Sequence, residues 1–146
     1  MAEPSPQQIA EKVRDAMLAG DHATKMLGMR IVEVGPGRAV IEMVVRQDML
    51  NGHAICHGGL IATLADSTFA FACNAYNELS VASGFSIDLV APAHLDDVLT
   101  ARCHEVSKSG RTGVYDTEVL NQRGERIAVF RGRSYTMRGK PVVALG

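Results

Sequence analysis

The chain has 146 residues, of which 47% are hydrophobic and 21% charged, with a formal charge of −1. These are the proportions of an ordinary globular domain, long enough to bury a core. Neither that charge nor the absence of Trp offers a basis for binding nucleic acid or an anionic membrane. The three cysteines, Cys56, Cys73 and Cys103, are odd in number and form no CxxC pair. They read as reduced thiols in a cytoplasmic protein. The first residues lack a basic stretch followed by an apolar one, so a secretory signal is not expected.

In chain order, Pro4 and Pro6 introduce a predicted helix over residues 7–18, with Ile9, Val13, Met17 and Leu18 near one stripe. Gly20 and Asp21 supply a break and an N-cap for a short turn over residues 22–27. Period-two patterning then predicts two strands, one holding Met29, Ile31 and Val34, the other Val40–Val45. Gly35-Pro36-Gly37 turns between them. A long apolar helix is predicted over residues 58–76. Four strands follow over 80–90, 98–107, 112–120 and 126–137, with hairpin turns at Lys108–Arg111 and Asn121–Gly124. Pro92 ends the first of these strands.

The long helix is apolar nearly all round, so it has to be wrapped rather than laid on a surface. Thr63, Asp66, Ser67 and Thr68 interrupt it, which makes it a poor membrane span. An α+β architecture is predicted, with a curved antiparallel sheet around one central helix. Residues 1–27 read as a helical segment packed on a domain of residues 28–146, a single domain overall.

Asp66 stands out within this helix. A carboxylate in an apolar run is costly to bury without partners. The run opens with His57-Gly58-Gly59, and glycines at a helix start leave free N–H groups approachable by a ligand oxygen. An oxygen-binding helix end followed two turns later by a carboxylate suggests chemistry on a carbonyl. The bland alternative is an Asp that caps a loop or pairs with an Arg, and glycines that merely permit a sharp turn.

The stretch Met49–Gly59, continuing to Leu64-Ala65-Asp66-Ser67, resembles the hotdog-fold acyl-CoA thioesterases of the phenylacetic-acid-degradation (PaaI-like) subgroup. The Asp lies nine residues after the motif His, with Asn51 upstream. Segments Ser86–Leu89 through Pro92, Gly113–Asp116 and Phe130–Arg133 resemble it too, so the likeness runs from about Gly28 to Arg138. It implies a hotdog fold and hydrolysis of an acyl-CoA, with phenylacetyl-CoA or hydroxyphenylacetyl-CoA as the expected substrates. It also implies a homodimer or a tetramer built from two dimers, with active sites at the dimer interface and no metal or redox cofactor.

By that resemblance Asp66 is nucleophile or general base and the Gly58 backbone N–H is the oxyanion donor. Asn51 would orient the attacking water or hold the carboxylate, although Asn51-Gly52 is also a common turn pair. His57 would approach the thioester carbonyl or position the glycines. Gly59, Ser67, Lys108 and Arg111 are candidate substrate-binding residues, the last two for the CoA phosphates. Arg131 and Arg133 are second candidates for that role. Ser67 equally fits a back-bond to a carbonyl one turn earlier, and the basic hairpin tip fits a solvated turn. Some relatives hold water with a Ser on the strand after the helix. Ala82 falls there, flanked by Ser80 and Ser83. His53, Cys56 and His57 lack further ligands at zinc spacing. An acyl-CoA-binding sensor without turnover is the alternative function. Hydration of acyl thioesters on the same fold requires a His-plus-acid arrangement not found in this sequence.

Overall fold

A computed structural model describes residues 2–146 of the chain. Helix α1 (Pro6–Gly20) starts at a reciprocal cap: the Gln8 N–H donates to Ser5 Oγ at 3.1 Å, and the Ser5 N–H donates to Gln8 Oε1 at 2.9 Å. This is a capping box with Pro6 at the first helical position. Its buried Ala10 and Val13 face inward, and the helix packs on strand β1 (Arg30–Gly35) and on the long helix. Asp21 then caps α2 (His22–Met26), accepting from the Thr24 N–H at 3.0 Å.

Strand β1 joins β2 (Arg38–Val44) through a turn in which Gly37 takes φ +69°. Helix α3 (Gly58–Asn74) follows, then β3 (Ser80–Leu89), β4 (Val98–Ser109), β5 (Thr112–Leu120) and β6 (Arg126–Thr136). All six strands form one antiparallel sheet in the order β1-β2-β4-β5-β6-β3. The sheet curves around α3 in a hotdog-like fold, and α3 packs against β4, β2 and β5. Strand β3 leaves the helix and pairs with β6, the last strand, so that it forms one edge of the sheet.

Several boundaries shift by one or two residues from the sequence expectation, and two of these shifts have a clear local cause. Helix α3 stops at Asn74, two residues before Tyr76, because the Asn74 side chain turns back onto the next strand. Its Nδ2 donates to Ser80 O at 3.0 Å, while its Oδ1 accepts from the Ser80 N–H at 2.9 Å. Asn77 then adopts φ +64°, which a helix cannot continue through. The β4–β5 turn is also tighter than Lys108–Arg111. Lys108 and Ser109 still pair with Gly113 and Thr112, leaving Gly110 and Arg111 as the turn, with Gly110 at φ +61°.

The core lies between α3 and the sheet. Phe69 stacks at an angle on Tyr115 and Phe130, with centroids 5.5 and 5.9 Å away. Gly132 makes room for that ring: a β-carbon there would lie 2.8 Å from Phe69. The buried Tyr115 hydroxyl donates to Glu105 Oε1 at 3.1 Å, and Tyr76 donates to the same oxygen at 2.9 Å. Phe69, Phe71 and Met49 are all core residues. No described helix is long and apolar enough to cross a membrane.

Candidate active site

The segment entering α3 sets the geometry. The loop from Leu50 to Cys56 folds back on itself, joined by a bridge between those two residues. The Asn51 N–H donates to Ile55 O at 2.8 Å. Asn51 Oδ1 accepts from the backbone N–H of His53 at 2.9 Å and of Ile55 at 3.4 Å. Asn51 therefore shapes the loop. Because two N–H donors hold its oxygen, its NH2 group is left as a donor without a partner among the described residues.

His57 is the N-cap of α3. The Gly59 N–H donates to His57 Nδ1 at 3.1 Å, and the N–H groups of Leu60 and Ile61 bond to His57 O at 3.0 and 3.4 Å. Of the four amides that a helix start leaves without intrahelical partners, only that of Gly58 has no acceptor among the described residues. That amide also sits where the helix dipole favours negative charge. An imidazole whose Nδ1 accepts a hydrogen bond carries its proton on Nε2 when neutral.

A cavity of about 470 Å³ opens at this point. Asn51 and Gly58 line it together, among the apolar side chains of Ile55, Ile61, Leu89, Val90 and Pro92. His57 and Gly59 flank Gly58 but are not part of the cavity's lining, and neither are the remaining predicted residues. Asp66 is eight residues further along α3, about 12 Å at 1.5 Å per residue. It is half-buried, makes no hydrogen bond among the described residues, and burial pushes its carboxyl above the ordinary aspartate value. Ser67 beside it is half-buried and has no hydrogen-bond partner among the described residues.

Of the basic candidates, Lys108 and Arg111 sit at the β4–β5 hairpin and Arg131 and Arg133 on β6. Lys108 pairs with Glu78 at 3.6 Å and lies over the Tyr76 ring. Arg111 donates to the Tyr135 hydroxyl at 3.2 Å. Arg131 is held by Asp116 through two bonds of 2.7 and 2.8 Å, and Arg133 packs against Gly84. The serines that flank Ala82 are also occupied: Ser80 Oγ bonds Thr136 Oγ1 at 2.9 Å, and Ser83 Oγ donates to Arg133 O at 3.1 Å. Among the described residues, no three His, Cys, Asp or Glu side chains gather into a metal-binding group.

Sequence reading missed Leu89, Val90 and Pro92 as cavity walls, because they arrive from the far end of β3. The Pro92 strand break was the one signal that a connection passes there.

Residues 53–128 match the family model of the thioesterase superfamily. The acyl-coenzyme A thioesterase PaaI of Escherichia coli K12 is 43% identical over 124 residues, covering 85% of this chain and 89% of the relative. The structure of the E. coli PaaI protein from the phenylacetic acid degradation operon superposes with a TM-score of 0.91 at 40% identity. That match covers 93% of this chain and 99% of the other. A hypothetical thioesterase from Streptococcus pneumoniae TIGR4, solved with coenzyme A, matches with a TM-score of 0.72 at 26% identity, over 75% of this chain and 88% of the other. An HGG segment that opens a wrapped central helix, set in this sheet order and matched along most of its length, establishes that the chain belongs to the thioesterase superfamily.

Proposed function

We propose that this chain is an acyl-CoA thioesterase that hydrolyses phenylacetyl-CoA or hydroxyphenylacetyl-CoA to the free acid and CoA. The observation that carries this reading is the Gly58 amide, the one α3 N-terminal N–H without an acceptor among the described residues, on a residue that lines a largely apolar cavity. A donor already aimed at a developing oxyanion contributes about 3 kcal/mol to acyl transfer. The E. coli relative's activity and the coenzyme A in the streptococcal structure support acyl-CoA as the substrate class.

In this reading the thioester carbonyl oxygen accepts from the Gly58 N–H. Oxygen then attacks the carbonyl carbon, the C–S bond breaks, and CoA leaves as thiolate and takes up a proton. Two routes deliver that oxygen. In one, the Asp66 carboxylate takes a proton from water, and the hydroxide adds. In the other, Asp66 attacks directly, and water hydrolyses the resulting mixed anhydride. The carboxyl raised by burial is a stronger base than an exposed aspartate, which suits either route. The free NH2 of Asn51 would donate to the water or the carboxylate, and His57 holds the loop so that Gly58 stays open. Gly59 contributes a helix start without a side chain, Ser67 would meet substrate beside Asp66, and Lys108 and Arg111 would meet the CoA phosphates.

One chain cannot close this site on its own. The roughly 12 Å between Gly58 and Asp66 along α3 exceeds the reach of one thioester carbonyl. A second copy would supply the missing half. The free edge of β3, with Val81 and Phe85 exposed, is the surface we assign to pairing with that copy. The functional unit is then a homodimer, or a tetramer as a dimer of dimers, with sites at the dimer interface. Three buried free thiols are in keeping with action in the cytoplasm.

The test is thiol release from phenylacetyl-CoA, hydroxyphenylacetyl-CoA and straight-chain acyl-CoAs, comparing wild type with Asp66→Asn. Asp66-dependent release that favours the aryl-acetyl esters is the expected result. Binding of acyl-CoA without any release would turn the reading to a sensor.

A further inference from the structure

The cavity beside Gly58 has an apolar side chain close against that residue. A β-carbon built on Gly58 would lie 2.5 Å from Leu89 Cδ1, with Leu89 Cγ the only other neighbouring atom, at 3.8 Å. Leu89 is the last residue of β3 and is 51% exposed, so its side chain is not committed to the core. It reaches from the sheet edge across to the first turn of α3 and lines the same cavity as Gly58, Asn51 and Ile61. An apolar side chain thus stands against the one residue with a free helix-start amide. Its neighbours Val90 and Pro92 extend the same apolar wall.

We propose that Leu89 is a specificity-determining residue, the side chain that gauges the acyl group as its carbonyl meets the Gly58 amide. The inference rests on the thioesterase reading above and adds the element that selects among acyl groups. A cavity lined by no charged side chain, its side-chain polar groups being the Asn51 amide and the Cys56 thiol, takes an uncharged acyl group. The volume that Leu89 occupies decides how large that group can be beside the oxyanion donor. Hydrophobic pockets discriminate by small increments, about ten-fold or somewhat more for each methylene gained or lost. Leu89 explains the glycine as well. A β-carbon at position 58 would require the Leu89 side chain, which forms one wall of this cavity, to move.

The experiment measures kcat/KM for phenylacetyl-CoA and for acyl-CoAs of graded length in wild type, Leu89→Ala, Leu89→Phe, Gly58→Ala and the Gly58→Ala/Leu89→Ala double variant. Thermal unfolding of each protein is followed alongside. Leu89→Ala should shift the preference toward larger acyl groups by about ten-fold relative to phenylacetyl, and Leu89→Phe should shift it toward smaller ones. Gly58→Ala keeps the backbone N–H, so its loss of activity should be largely restored when Leu89→Ala removes the clash. An unchanged acyl ranking across active Leu89 variants overturns the proposal and leaves the thioesterase reading standing. Failure of the double variant to recover, with both proteins folded, also overturns it. Absence of thiol release in wild type overturns both.

Discussion

The Gly59 N–H donates to His57 Nδ1 at 3.1 Å, so the residue that looks most like a catalytic histidine caps the helix at its own motif. This bond, with the two that reach His57 O, separates the adjacent glycines chemically. Gly59 is engaged, and Gly58 is open. The motif works as a unit in which the imidazole satisfies one amide and leaves its neighbour without an acceptor among the described residues.

Replacing His57 by Ala should cost about 1 kcal/mol of stability, as expected for a lost N-cap. Asn at this position can cap through its own side-chain oxygen and should recover most of that loss. Urea unfolding of the two variants measures the difference. If capping is the main role of His57, thiol release should recover with stability in His57→Asn. Full stability combined with a kcat still reduced a hundred-fold or more would assign the ring a direct part in the chemistry.

Asp66 should impose a signature on pH dependence. Burial raises its folded pKa above the ordinary value, so the native state binds the proton more tightly than the unfolded chain does. This group's contribution to stability is full below the unfolded pKa and is lost as pH rises through the folded pKa. Asp66→Asn should remove that part of the decline, leaving a protein at least as stable as wild type at neutral pH. In the wild type, kcat/KM should fall on the acidic side with an apparent pKa above 3.8. An acidic limb at or below that value would mean that the working carboxylate is not this half-buried one.

Activity should depend on protein concentration. Specific activity is expected to fall as dilution carries the chain through its dimer dissociation, and Phe85→Lys on the exposed edge of β3 should move that transition to higher concentration. Phe85 is 43% exposed and packs on Phe130 with ring centroids 4.9 Å apart, so a modest loss of monomer stability accompanies the change. Sedimentation velocity alongside thiol release makes the comparison. A verified monomer with full specific activity would show that one chain holds a complete site.

Much of this protein was legible in local patterning. Pro4 and Pro6, Asp21 and the glycines at 37 and 110 announce helix starts and turns because each satisfies a short-range backbone requirement. The apolar helix announces a sheet around it, since no other surface could bury all its sides. Asp66 and the glycines of the HGG segment drew attention for the same local reason, a costly carboxylate and an unprotected helix start. What no window of sequence contains is distance. Strand order brought β3 to the sheet edge beside β6, and the end of that strand laid Leu89 against Gly58 from 31 positions away. The same three-dimensional accounting engaged Lys108, Arg131 and Ser80 with Glu78, Asp116 and Thr136. Periodicity and capping are encoded residue by residue, whereas the cavity and its wall arise only from packing elements that are remote in the sequence.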